Sequence, residues 1–435
     1  MLRKQIQLGL IHVAVAMTLV PINSTLNRVM INELSISASL VAILASLPYL
    51  FSPIQVAIGS YSDRHPVLGL HRSPYILAGL ILCVLGVVIS PSAAFLMDQN
   101  FALGLLTSMA AFGAWGMGYN LSSVSYLSLA TELSGEKQRG RTIAIMWFMM
   151  ITSIIVTAIA ISHMVDPYTP EAMTRAFQIV GVSALALGTL GLIKLEARSK
   201  AGSAPVHTEA YTIKQMFAAI WDNPFARTFF VYLLLLLAAI LGQDVLLEPY
   251  AAEAFGMSVT ETTRITSLWG TFVLIAIIIA GALEGRVHKR IVAQTGNLGA
   301  LAGFIVIVIS GFIDSIAAFY TGVTLLGIGT GLSTVANLSL MFELTVAGQV
   351  GLYIGAWGFS NALSRLTGSL LGGIVRDGVK QATGQSVTGY LVVFILEALM
   401  LGLAAVLLAR IDVSKFKTKA TEPAYSEKVA IAIDG

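Results

Sequence analysis

Apolar stretches of about 20 residues, each closed by a short polar break, recur along the whole chain. A hydrocarbon core of about 30 Å takes roughly 20 residues of helix. On that ruler the sequence predicts twelve spans: 6–30, 37–59, 73–96, 101–130, 142–164, 175–195, 226–250, 261–283, 296–313, 316–342, 350–375 and 388–410. The break between the ninth and tenth falls at Gly311–Ser315. The longest break, 196–225, carries Arg198, Lys200, Pro205 and His207 and separates two sets of six spans. The pattern therefore predicts an all-α polytopic membrane protein with six-helix bundles at 1–195 and 226–410. Residues 196–225 are expected to form a linker whose later part, 211–223, has the apolar spacing of a helix lying on a membrane surface. The polar residues 411–435 are expected to form a mobile tail. The opening MLRK and the apolar run behind it resemble a secretion leader, but no small-residue cleavage site follows, so a retained first helix is expected.

The two sets of spans repeat one another. Residues 116–133 read GMGYNLSSVSYLSLATEL and residues 327–344 read GIGTGLSTVANLSLMFEL. Shared positions include Gly116/Gly327, Gly118/Gly329, Ser122/Ser333, Ser128/Ser339 and Glu132/Glu343. Duplicated halves in a polytopic protein mark transporter-type folds, whose polar cavity lies between the repeats. Such a cavity would be lined by spans one, four, seven and ten. Its candidate residues are Asn23, Asn27, Arg28, Tyr119, Asn120, Ser123, Gln243, Asp244, Glu248, Thr330, Thr334 and Asn337.

Composition narrows the class further. Hydrophobic residues make up 56% of the chain and charged residues 11%, where soluble domains carry about 25% charged. A net charge of +3 is too small and too scattered to bind nucleic acid. Cys83 is the one cysteine, so neither an intrachain disulfide nor a multi-cysteine metal site is available. Basic residues gather at alternate breaks: Arg3 and Lys4; Arg64 and Arg72; Lys137, Arg139 and Arg141; Lys194 to Arg227; Arg286, Lys289 and Arg290; and Arg410 onward. That asymmetry predicts both termini in the cytoplasm.

Several residues are candidates for chemistry. Gly59, Asp63, Arg64 and Arg72 follow the second span in a pattern that resembles the inner-gate loop motif of the major facilitator superfamily, and Glu284 and Arg286 repeat it weakly after the eighth. A carboxylate there can cap a helix and pair with arginine. The match is incomplete, since His65-Pro66 interrupts the spacing, and an ordinary charged turn is the plainer reading. Aligning Asn27-Arg28 with Gln243-Asp244 puts Arg28 and Asp244 at equivalent places. Because unpaired charge in hydrocarbon is costly, the two are expected to face each other or a shared polar space; alternatively, each sits at the water interface. Arg365 and Glu397 lie nearer helix centres and form a candidate intramembrane charge pair, structural rather than proton-coupling in role. Gly368/Gly372 and Ala184/Gly188 have the spacing of close helix contacts. His12, in the first span, is a candidate ligand for the central magnesium of a chlorophyll-type pigment, against the plainer reading of a packed histidine. The remaining histidines show no metal spacing, and no phosphate loop, catalytic triad or carboxylate pair emerges, which argues against an enzyme.

The phrases LNRVMINEL (26–34), SPIQVAIGSYSDRHP (52–66), QDVLLEPYAAEAFGMS (243–258) and GAWGFSNALSRLTGSLLGGIVRD (355–377) resemble those of the PucC-like family. That family is a divergent branch of the major facilitator superfamily in phototrophic bacteria, and the likeness spans nearly all of residues 5–410. It implies the major facilitator fold and a location in a cytoplasmic, intracytoplasmic or thylakoid membrane. It also implies a role in assembling light-harvesting complexes, with chlorophyll or bacteriochlorophyll as the bound or delivered pigment and antenna or photosystem subunits as partners. A secondary transporter of a small amphipathic or anionic solute, coupled to protons or not, is the alternative.

Overall fold

A computed structural model describes residues 2–52, 54–198, 220–221, 223–345, 350–411 and 413–420. The described residues are almost entirely helical, as the apolar pattern demands: a backbone in hydrocarbon must satisfy its own hydrogen bonds. Among the described residues ten stretches are long and apolar enough to cross a membrane, two of them, Phe101–Ser134 and Gly140–Met164, within one continuous helix. The expected span 37–59 is instead broken into α2 (Ala38–Ala45), α3 (Leu47–Leu50) and α4 (Ile54–Arg64). Pro48 opens α3 and cannot continue the ladder of α2. The eleventh span lies within α13 (Val350–Thr383), which is 34 residues long but diluted by Ser360, Asn361, Ser364, Arg365 and Thr367. The expected surface helix at 211–223 falls mostly outside the described residues.

The chain divides into two compact units. One contains Met1–His207 together with Asp244–Gly270, the other Thr208–Gln243 with Thr271–Gly435. In the first, α1 (Leu2–Glu33) packs on α6 (Phe101–Met164) and α7 (Pro170–Leu192), and α5 (Ser73–Gln99) packs on both of these. The lower part of α1 is regular, but Pro21–Leu26 and Val29–Glu33 are π-helical. Pro21 supplies the cause, since it lacks an N–H and forces the ladder to slip by one residue. The segment Asp244–Gly270 brings α9 (Leu247–Phe255) and the first half of α10 (Val259–Leu283) into this unit.

In the second unit, α8 (Pro224–Gly242) packs on α13 and on α14 (Ser386–Arg410), and α11 (Lys289–Phe312) packs on α12 (Ile316–Glu343). Gly368 of α13 meets the Ala238 carbonyl of α8, the close contact expected of a small residue there. The start of the expected mobile tail is ordered. Residues Val413–Ala420 form α15, where Phe416 is fully buried, stacks edge-on against Tyr353 at 5.5 Å and accepts a hydrogen bond from Asn223 Nδ2. Phe416 is the large apolar side chain that docks this mostly polar run.

The duplication read from the sequence is a duplication of geometry. In the first unit a Cβ on Gly79 would lie 2.6 Å from Ser122 Oγ and 2.8 Å from the Gly118 carbonyl. In the second, a Cβ on Gly296 would lie 2.5 Å from Ser333 Oγ and 2.8 Å from the Gly329 carbonyl. The α5/α6 and α11/α12 crossings are therefore the same glycine-on-glycine contact. Each is clasped at one end by an ion pair: Arg72 to Glu132 at 2.9 Å, and Lys289 to Glu343 at 2.8 Å.

Candidate functional site

Three groups of polar side chains lie within the helical units, and each tests part of the sequence reading. The first surrounds the π-helical part of α1. Glu248 of α9 is buried, and its Oε1 accepts hydrogen bonds from Ser24 at 2.5 Å and from Thr266 of α10 at 2.6 Å. Thr25 and Thr263 hydroxyls meet at 3.2 Å. Asn32 Nδ2 donates to Glu253 at 3.2 Å. Arg28 is buried and donates to the Met257 carbonyl at 3.3 Å. Its ion pair is with Glu33, five residues further along the same helix, and not with Asp244 as the repeat alignment suggested. The π turns are the reason, because they shift Arg28 and Glu33 onto one face. The carboxylate that reaches this cluster from the second half of the sequence is Glu248. Asn27 is fully buried and donates to the Asn23 carbonyl at 3.2 Å.

The second group comprises the inner-gate candidates. Arg72 is buried and holds Ser62 Oγ at 2.6 Å as well as Glu132. The N–H groups of His71, Arg72 and Ser73, at the start of α5, donate to the carboxylate of Glu196, in the connection just after α7, the shortest at 2.7 Å. A carboxylate at a helix N-terminus satisfies orphan donors and complements the dipole, so Glu196 caps this helix. The surroundings of Gly59 and the side chain of Asp63 are not described, and Arg64 is exposed at the end of α4. The weak second copy does not form an ion pair among the described residues. Glu284 and Arg286 are exposed, and Arg286 donates to the Ala282 carbonyl of its own turn. Gly285, at φ +77°, makes that turn.

The third group lies on the faces that α1 and α8 turn toward the repeated helices. In the second unit, Tyr232 of α8 donates to Asn337 Oδ1 at 2.7 Å and accepts from Asn297 Nδ2 at 3.2 Å, while Ser333 donates to Asn297 Oδ1 at 2.8 Å. Asn337 also donates to the Ser333 carbonyl at 2.8 Å. In the first unit the residue matching Asn337 is Tyr126, and it faces His12, with ring centroids 5.1 Å apart. Trp147 stands edge-on to the same imidazole at 6.1 Å. His12 is 7% exposed and its Nδ1 has no hydrogen-bond partner. Trp147 is 43% exposed, on the largely exposed stretch Gly140–Met164.

The other candidates occupy ordinary helical positions. Asn120 is fully buried, donates to the Pro48 carbonyl at 2.7 Å and to Gly116 at 2.8 Å, and accepts from Gln55. Ser123 is buried and Tyr119 half-buried on α6. Thr330 and Thr334 return their hydroxyls to carbonyls of their own helix. Gln243 is buried and Asp244 half-buried at the end of α8. Glu397 is buried on α14, 3.1 Å from where a Cβ on Gly242 would sit, and Arg365 lies one turn before Gly368 on α13.

Sequence reasoning did not identify Tyr232, Asn297, Thr266 or Glu196. The repeat carried a signal for one of them: Asn297 stands where the first half has Leu80, a polar residue replacing an apolar one at matched positions.

The chain matches the family model described as PUCC protein over residues 25–416. It is 31% identical to Protein PucC of Rhodobacter capsulatus over 415 residues, covering 92% of this chain and 90% of that one. Protein PucC of Cereibacter sphaeroides is 32% identical, with 91% and 89% covered. The bacteriochlorophyll synthase 44.5 kDa chain of Rhodobacter capsulatus is 30% identical, with 85% and 86% covered. Among solved structures, a bacterial homologue of the iron transporter ferroportin superposes with a TM-score of 0.71 at 13% identity, covering 94% of this chain and 99% of that one. A bacterial homologue of the lysosomal transporter Spinster gives 0.69 at 13% identity, covering 94% and 97%. Likeness at that identity establishes the major facilitator fold and no substrate.

Proposed function

The chain belongs to the PucC family, and on that premise we propose a non-enzymatic, membrane-embedded assembly factor that binds or delivers a chlorophyll-type pigment during light-harvesting complex formation. Its partners on this reading are antenna or photosystem subunits, and both termini face the cytoplasm, where the basic clusters favour them. Relatives carrying these names come from phototrophic bacteria.

The observation that carries the reading is the orphaned nitrogen of His12. A buried polar atom without a partner costs about 1–3 kcal/mol, and a bound ligand would offset that cost. The Met146 backbone engages the ring, which leaves the lone pair on Nδ1. Neutral imidazole is a good ligand for a divalent metal, and the magnesium of a chlorophyll-type macrocycle is one. When bound, the pigment would bring its own light-absorbing chemistry; His12 would hold it, and Tyr126 and Trp147 would shield that nitrogen from water. A neutral imidazole nitrogen is a donor of the kind such a magnesium takes.

Purification from a phototrophic host in mild detergent tests the reading. Chlorophyll-type absorption, with antenna polypeptides in the same fraction, is expected. A colourless preparation that catalyses solute counterflow in liposomes would instead establish secondary transport.

A further inference from the structure

We propose that Glu248 is a proton-binding site, and that its proton holds residues 244–270 against the π-helical stretch of α1. The proposal is independent of the pigment reading. It starts from an asymmetry within one carboxyl group. Both hydroxyl donors, Ser24 and Thr266, converge on Oε1 at 2.5 and 2.6 Å. Oε2 is equally buried and has no partner. An ionised carboxylate spreads its charge over two oxygens and calls for donors on both, whereas a carboxylic acid keeps one oxygen as an acceptor and carries its proton on the other. The observed arrangement, with two donors on one oxygen and none on the other, suits the acid with its proton on Oε2.

Of the surrounding charges, Arg28 bears on Glu248, but through space and without a hydrogen bond. Arg28, the cation of this cluster, is paired with Glu33, donates to the Met257 carbonyl, and makes no hydrogen bond to Glu248. On its own helix, Glu253 accepts from Asn32. On α10, Glu261 is bound to Ser258 at the helix start and Arg264 is exposed. From the connection before α7, Tyr168 lies within the field of Glu33 and Arg28, and burial together with Glu33 pushes its hydroxyl up to about 12, so it stays neutral. A buried carboxylate lacking a paired cation is the costly case. Loss of the proton to water therefore favours hydration of Glu248, and hydration requires residues 244–270 to move off Ser24 and Thr25. Proton binding and closure of this contact are then linked equilibria.

The test uses the full chain in nanodiscs with spin labels at Ser35→Cys and Ala254→Cys; the native Cys83 is buried. Distance distributions and infrared spectra are recorded between about pH 5 and 9, a range that brackets a shifted carboxyl group. The expected result is a short-distance population that declines as pH rises, together with loss of a protonated-carboxyl stretch. In Glu248→Gln, which mimics the neutral acid, the population should stay short throughout and the stretch should be missing. Ser24→Ala removes a donor that favours the ionised form, so the midpoint should move up by about one pH unit. An unchanged pH response in Glu248→Gln would overturn the proposal, as would a wild-type distance that ignores pH or an infrared spectrum with no band assignable to Glu248.

Discussion

The two glycine crossings, α5/α6 and α11/α12, are alike in backbone contact and in their terminal ion pair, yet the helices packed against them present opposite chemistry. Around α11/α12 the buried polar atoms close on one another: Tyr232, Asn297, Ser333 and Asn337 form a chain of hydrogen bonds. Around α5/α6, Leu80 and Tyr126 stand at the places of Asn297 and Asn337, and the polar group they leave facing them, on His12, is unsatisfied. A closed network rigidifies and specifies packing. An orphan nitrogen destabilises unless something binds it. The comparison sets a closed network in one half against an unsatisfied imidazole in the other, where the proposed ligand chemistry lies.

The largest expected effect is at what the halves share. Gly118→Val and Gly329→Val drive side chains into the backbones of Cys83 and Ala300, and each should cost about 3 kcal/mol or more. Thermal unfolding in detergent would show both as severe, while Gly113→Ala, which meets nothing within 4 Å, should be tolerated. If only one of the valine variants unfolds, the crossings are not equivalent. The clasps should differ more. Arg72→Ala removes a buried guanidinium bridging Ser62 and Glu132 and should cost about 2 kcal/mol or more. Next comes the network itself: Tyr232→Phe strands Asn297 and Asn337 and should cost about 1–3 kcal/mol by the same assay. Lys289→Ala has the smallest effect. Its pair is about a third exposed on both sides, so the loss should be about 0.5 kcal/mol or less, and less still at high salt. A Lys289→Ala loss as large as that of Arg72→Ala would remove the distinction between the clasps.

The apolar period revealed the spans other than 37–59, and the 116–133/327–344 match revealed the duplicated crossing, because helix packing repeats with sequence. Within the polar sites, His12 was legible as a lone imidazole in an apolar helix. The partner of Arg28 was not. A 3.6-residue period places Arg28 and Glu33 on different faces, and only the π turns after Pro21 bring them together. Glu248 was legible as a polar residue of the seventh span, but its hydrogen bonds to Ser24 and Thr266 depend on tertiary packing between segments more than 200 residues apart in one case. Glu196, read only as part of a charged break, became a helix cap for the same reason.

The most direct test of the central contrast is the pigment-to-protein ratio of His12→Leu set beside that of Tyr232→Phe, measured by absorption after purification from a phototrophic host. The expected result is a loss of about tenfold or more in His12→Leu, with thermal stability equal to or above wild type, and an unchanged ratio in Tyr232→Phe despite its lower stability. A His12→Leu protein that keeps the wild-type pigment ratio would contradict the assignment of ligand chemistry to the first half.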